Sequence, residues 1–331
     1  MTTTDVAHSK QTAPPTMEHS HTGSQAMAAL TAAGPAAPTS GIRALIRRHP
    51  VAAYVLMTTI GAWLGQLPVL VFHAPMRPFP FGMLSSILVL ALPAFLVTAV
   101  ADGRAGVRDL LARALRWRVG PRWYALALLG IPAAMFLLAT SFLGAAPLRA
   151  LADKWPLVFA EFLPQVLLAV VTVQLFEELG WTGFVQQRLQ GRHGALRASL
   201  LVALAFALWH LPNYLIGAPV TGERVLRVLV QMMPIAIVFG VFFRAVVTWL
   251  YNGAGRSVPI AALMHAVFNT VSSAKLATEF VPRSAAMWLP LAAVAVLAVL
   301  AAVATRGRLA HTPGDGATEA GTASSRSATR P

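Results

Sequence analysis

The sequence predicts an all-α polytopic membrane protein with about eight transmembrane helices and a polar site inside the helical bundle. Three observations carry that prediction. Charged residues make up 11% of the 331 residues, less than half of the roughly 25% usual in soluble domains. Hydrophobic residues make up 56%, and mean hydropathy is +0.64. The apolar residues also come in long blocks rather than in an alternating pattern. Together these exclude a soluble two-domain protein of this length.

Residues 1–42 are rich in Thr, Ala, Pro, Ser, Gly and His without apolar period and read as a disordered tail. They lack the apolar stretch of a cleavable signal peptide, and Glu18, His19 and His21 form at most a loose metal-binding string. Residues 307–331 return to Gly, Ala, Thr and Ser and read as a second disordered tail. Between them, residues 43–306 form the expected transmembrane domain. Eight segments reach the roughly 20 apolar residues that a span requires: near 51–72, 81–101, 123–145, 157–183, 197–216, 227–250, 258–276 and 286–304. The fourth, fifth and seventh carry polar residues.

Charge placement tests the eight-span reading. The net charge of +14 comes from 26 Lys+Arg against 12 Asp+Glu. Nineteen of those basic residues fall on one side of the membrane if the chain crosses eight times. Among them are Arg43, Arg47, Arg48, the arginines of 104–122, Arg188, Arg192, Arg197, Arg244 and Arg256. Seven fall on the other side. The positive-inside rule then puts both termini in the cytoplasm of an integral, plasma (inner) membrane protein. Basic residues interleaved with spans read as topology signals and lipid contacts, not as a nucleic-acid surface. Residues 104–118 set Leu110, Leu111, Leu115 and Trp117 on one side and arginines on the other, which predicts a helix lying in the headgroup plane. With no cysteine, disulfides, thiolate metal sites and cysteine nucleophiles are excluded.

Ionisable groups within the bilayer are costly and mark functional sites by default. Here they are few: Glu177 and Glu178 on the fourth span, His210 on the fifth, and His265 with Asn269 on the seventh, while Glu161 lies near the outer end of the fourth span. The i, i+4 spacing of His265 and Asn269 puts both on one helix face. Convergence of the three helices satisfies groups that lipid would leave unpaired. A desolvated carboxylate is a competent general base toward water, imidazole can share the proton, and a carboxamide can donate to an oxyanion. Glu177, His210 and His265 could equally hold zinc with water in the fourth position. There is no HExxH helix, no intramembrane Asp and no Gly-x-Ser-x-Gly elbow. A proton path in a carrier, or plain helix pairing, fits the same composition.

The local strings narrow this. Residues 177–184 read EELGWTGF, 206–212 read FALWHLP and 265–269 read HAVFN. In order and spacing they resemble the CPBP intramembrane proteases, which include CAAX-processing endopeptidases and bacteriocin-processing or self-immunity proteins. The family pattern is Glu-Glu-x-x-x-Arg, Phe-x-x-x-His and His-x-x-x-Asn, and the resemblance covers about residues 120–276. It implies an endopeptidase acting on a membrane-associated protein or peptide, with a site opening to the cytoplasmic side. By resemblance, Glu177 and His210 activate water while His265 and Asn269 stabilise the oxyanion, with zinc assistance open. A non-catalytic immunity or binding protein of the same family is the alternative, beside a proton-coupled carrier. One position departs: Thr182 stands where the pattern has Arg. Glu178 is therefore expected to lack a fixed cation unless Arg188, roughly 15 Å along the helix, serves. Among supporting residues, Pro212 and Pro234 are expected to interrupt their helices. Ser257 is expected to cap the seventh span, Trp181 and Trp209 to pack around the polar residues, and Gln174 to bond Glu177 or another core group.

Overall fold

The computed structural model describes residues 41–72 and 81–312. The expectations for most of the N-terminal tail and for residues 313–331 lie outside it. Six helices are long and apolar enough to cross a membrane: α1 (Pro50–Phe72), α2 (Met83–Ala114), α3 (Pro121–Leu143), α4 (Val158–His193), α5 (Ala195–Leu215) and α6 (Gly222–Gly253). Two shorter apolar helices follow, α7 (Val258–Val271) and α8 (Leu289–Ala304). All eight predicted segments are therefore helical, and there is no strand among the described residues.

The last two differ from expectation in length. With 14 and 16 residues, α7 and α8 extend about 21 and 24 Å, short of the roughly 30 Å hydrocarbon core. For α7 the reason is its place in the bundle. Eleven of its residues are buried, and it packs against α3, α4 and α6, so protein rather than lipid surrounds it. Ser257 caps it as expected. Its hydroxyl accepts from the Ile260 N–H at 3.4 Å and donates to the Arg116 carbonyl at 2.6 Å, with Pro259 in the first turn.

The helix expected in the headgroup plane packs in part against the bundle. Gly103 has φ +66° and ψ −157°, outside the helical region, and this bends α2 so that residues 104–114 form a second leg. That leg turns into the bundle. Leu110 and Arg113 are buried, while Leu111, Leu115 and Trp117 stay exposed. The Arg113 Nη1 donates to the Gly183 carbonyl at 2.6 Å, which satisfies a guanidinium that burial would otherwise isolate.

Both proline expectations hold locally. The α-helical part of α5 stops at His210, and Leu211–Leu215, containing Pro212, tightens into a 3₁₀ turn. In α6 a wider π-helical turn, Val228–Met232, precedes regular helix that begins next to Pro234. The largest irregularity is in α4. A single α-helical turn, Leu175–Glu178, sits between π-helical stretches Val170–Gln174 and Leu179–Gln186. Such windings are uncommon in helix interiors and recur at functional sites.

Gly180 lies in the second of those stretches, where α1 approaches. A Cβ there would stand 1.8 Å from the Tyr54 hydroxyl oxygen. Tyr54 is fully buried, with its ring 5.9 Å from Trp181 and 4.8 Å from Phe184 between centroids, so it has nowhere to retreat. Gly180→Ala is expected to destabilise the bundle by about 1–3 kcal/mol. Gly191→Ala, with nothing within 4 Å of the added carbon, is expected to be neutral or slightly stabilising. Thermal unfolding of the detergent-purified protein separates the two, and equal midpoints would refute the close approach.

Candidate active site

Three helices bring the polar residues together. A cavity of about 330 Å³ opens between α4, α5, α6 and α7, and Glu177, His210, His265 and Asn269 all line it. Phe206, Phe239, Phe243 and Phe268 form much of the remaining wall. Glu177 comes from the α-helical turn of α4, His210 from the point where α5 stops, and His265 and Asn269 from successive turns of α7. The expected convergence is observed.

Glu178 occupies a different position. Its side chain is fully buried, and it stands behind the cavity without lining it. The carboxylate is saturated with partners. Arg244 of α6 reaches it with both terminal nitrogens, Nη1 to Oε1 at 2.9 Å and Nη2 to Oε2 at 3.1 Å. The Thr182 hydroxyl donates to Oε2 and accepts from Arg244 Nη2 at 2.5 Å. The Nδ1 of His265 is 2.8 Å from Oε1. This corrects the expectation that Glu178 lacks a fixed cation. Arg244, equally inaccessible, stands in for the missing arginine, and the small Thr182 leaves room for it on the same face. Arg188 takes no part. It pairs with Asp102 instead.

These contacts set the chemistry of the imidazoles. A carboxylate only accepts, so the Nδ1 of His265 carries a proton, leaving Nε2 at 3.7 Å from Glu177 Oε2. A carbonyl likewise only accepts, and His210 Nδ1 is 2.9 Å from the Phe206 carbonyl. His210 therefore also presents Nε2 as its free nitrogen. Asn269 is exposed to the cavity and has no side-chain hydrogen bond among the described residues. Trp181 and Trp209 pack as expected, with Trp181 5.6 Å from Phe206 and 6.2 Å from Trp209 between ring centroids.

Two residues of the site were not identified correctly from the sequence. Arg244 had been assigned to topology, although its depth within an apolar helix already called for a partner. Gln174 was expected to bond Glu177 or another core group. It is buried and lines the cavity, but its Oε1 has no partner. Among the described residues no three His, Cys, Asp or Glu side chains are grouped so as to hold a metal ion. No step below passes through a metal.

Comparison with known proteins agrees with the motifs. Residues 159–271 match the family described as Type II CAAX prenyl endopeptidase Rce1-like. The chain is also 27% identical over 116 residues to CAAX prenyl protease 2 of Methanococcus maripaludis, a stretch covering 33% of this chain and 40% of that protein. The chain thus spans less than half the length of that relative. Motifs and match agree: residues 159–271 are similar to the CPBP/CAAX protease family.

Removing one partner of a buried ion pair typically costs about 3–5 kcal/mol. Arg244→Leu is expected to destabilise the bundle by that order, because Glu178 then stays buried without a cation. Adding Thr182→Arg returns a guanidinium to the same carboxylate and is expected to recover at least half of the loss. Thermal unfolding of the single and double variants, followed by tryptophan fluorescence, measures both. Additive losses would mean that Arg244 stabilises by packing alone.

Proposed function

From the similarity of residues 159–271 to that family, we propose that the protein is an intramembrane endopeptidase that hydrolyses a peptide bond of a membrane-associated protein or peptide. The observation that carries this is the gathering of Glu177, His210, His265 and Asn269 around one cavity, each on its motif position.

Glu177 takes a proton from a water molecule in the cavity, and the resulting hydroxide adds to the scissile carbonyl carbon. The C=O electron pair moves to oxygen. Asn269 donates to that oxyanion through its amide N–H, with the His265 ring beside it. The Arg244–Glu178 pair holds the His265 ring in the required orientation from behind. When the tetrahedral intermediate collapses the C–N bond breaks, and Glu177 returns its proton to the leaving nitrogen with His210 Nε2 assisting. The unpartnered Gln174 carbonyl oxygen accepts a backbone N–H of the substrate, which positions the chain beside Glu177. A CAAX-type substrate is the reading that the family suggests. In this proposal the site is served from the cytoplasmic side of the plasma (inner) membrane.

The test compares new peptide termini, mapped by mass spectrometry, in membranes holding equal amounts of wild type or variant. Glu177→Gln, His210→Ala and His265→Ala are each expected to lower cleavage by roughly 10²–10⁴-fold with the protein still inserted. Gln174→Ala is expected to lower it by about tenfold, the value of one hydrogen bond. Identical termini in wild type and Glu177→Gln would overturn the proposal and direct attention to a proton-coupled carrier or a non-catalytic binding protein.

A further inference from the structure

At the end of the bundle where the arginines gather, α1, α2, α4 and the residues just before α1 enclose a second cavity, of about 680 Å³. It is separate from the cavity around Glu177. Four guanidinium groups line it, those of Arg47, Arg48, Arg188 and Arg192, together with one carboxylate, Asp102. Four cations against one anion leave a surplus of three positive charges in a single concavity. Like charges so placed repel one another and concentrate anions from solution.

The fold fixes part of this set. The Arg47 Nε donates to the Val100 carbonyl at 3.0 Å. Arg188 pairs with Asp102 and stacks 3.8 Å above the Phe184 ring. The two are held in place before any ligand arrives. Arg48 and Arg192 are exposed and have no ion pair among the described residues, so their donors are available. The wall is of the opposite character. Val51, Val55 and Leu189 also line the cavity, and Val51 and Val55 belong to a helix long and apolar enough to cross a membrane.

We propose that this cavity binds an anionic phospholipid. Its phosphate sits among the guanidinium groups of Arg48, Arg188 and Arg192, and the start of an acyl chain lies along Val51 and Val55. Guanidinium groups match phosphate oxygens with paired, charge-assisted hydrogen bonds, and a basic pocket between transmembrane helices is a setting in which lipid headgroups bind. Free inorganic phosphate shares the first contact but has nothing to place on the apolar wall. The lipid, which uses both, is the better fit. The inference is independent of peptide cleavage and its test does not read activity.

The test is native mass spectrometry of the full-length chain in detergent, titrated with phosphatidylglycerol or phosphatidylcholine. Wild type is expected to retain phosphatidylglycerol in preference to phosphatidylcholine. The Arg48→Ala/Arg192→Ala double variant is expected to need roughly ten- to thirty-fold more phosphatidylglycerol for the same occupancy, from the loss of two cations. Arg108→Ala/Arg118→Ala removes the same charge from exposed positions outside the cavity and is expected to bind as wild type does. An equal loss in that control would reduce the effect to general surface charge. Equal retention of both lipids, or displacement of phosphatidylglycerol by millimolar inorganic phosphate, would likewise overturn the proposal.

Discussion

Glu178 carries its carboxylate where water does not reach, and α4, α6 and α7 meet around it. Taking one such group out of water costs several kcal/mol even after the protein relaxes, so every oxygen must be answered by a donor. Arg244 supplies two donors, Thr182 one and His265 one, from three different helices. Each of those helices is thereby tied to one point. The consequence reaches the cavity through His265, whose ring is held on one edge by Glu178 and so presents its other nitrogen beside Glu177. Such a pair need not add net stability compared with an apolar core of the same volume. What it provides is a fixed arrangement, which a site with two adjacent carboxylates and two imidazoles requires.

The neighbouring backbone serves the same arrangement. The turn Leu175–Glu178 is regular, but the stretches on either side are wound more widely. This alters the faces that Gln174 and Thr182 present relative to the two glutamates. On α5 the helix stops at His210, and the tighter turn through Pro212 gives the chain a change of direction at the cavity edge. Aromatic rings fill the space between these elements, so few polar groups compete with those named above for whatever enters.

Much of this was legible in the sequence. The apolar blocks located all eight helices, and the three motifs located four residues that line one cavity. Hydropathy carries no information on whether a segment faces lipid or protein, so α7 was read as longer than it is. The second leg of α2 carries a related ambiguity. Its amphipathic pattern fits a headgroup plane and a groove between helices equally well, and the bend at Gly103 and the Gly183 carbonyl show that one face meets protein. Arg244 escaped because its partners lie 62 and 66 positions away. A charge-counting rule treats every arginine as a surface group, whereas the expense of placing one inside an apolar helix is the sign that it has an interior partner.

The exchange of an arginine between positions 182 and 244 also bears on how such a chain can change over time. Either site can in principle supply the cation for Glu178, but the space around one carboxylate admits one guanidinium comfortably. A lineage moving between the two arrangements one substitution at a time must pass through a sequence with both arginines or with neither. Each intermediate carries a penalty that neither endpoint has, so the effect of each substitution depends on the other. The two arrangements are therefore separated by a barrier. Signatures for this kind of site are better written as neighbours in space than as intervals along the chain.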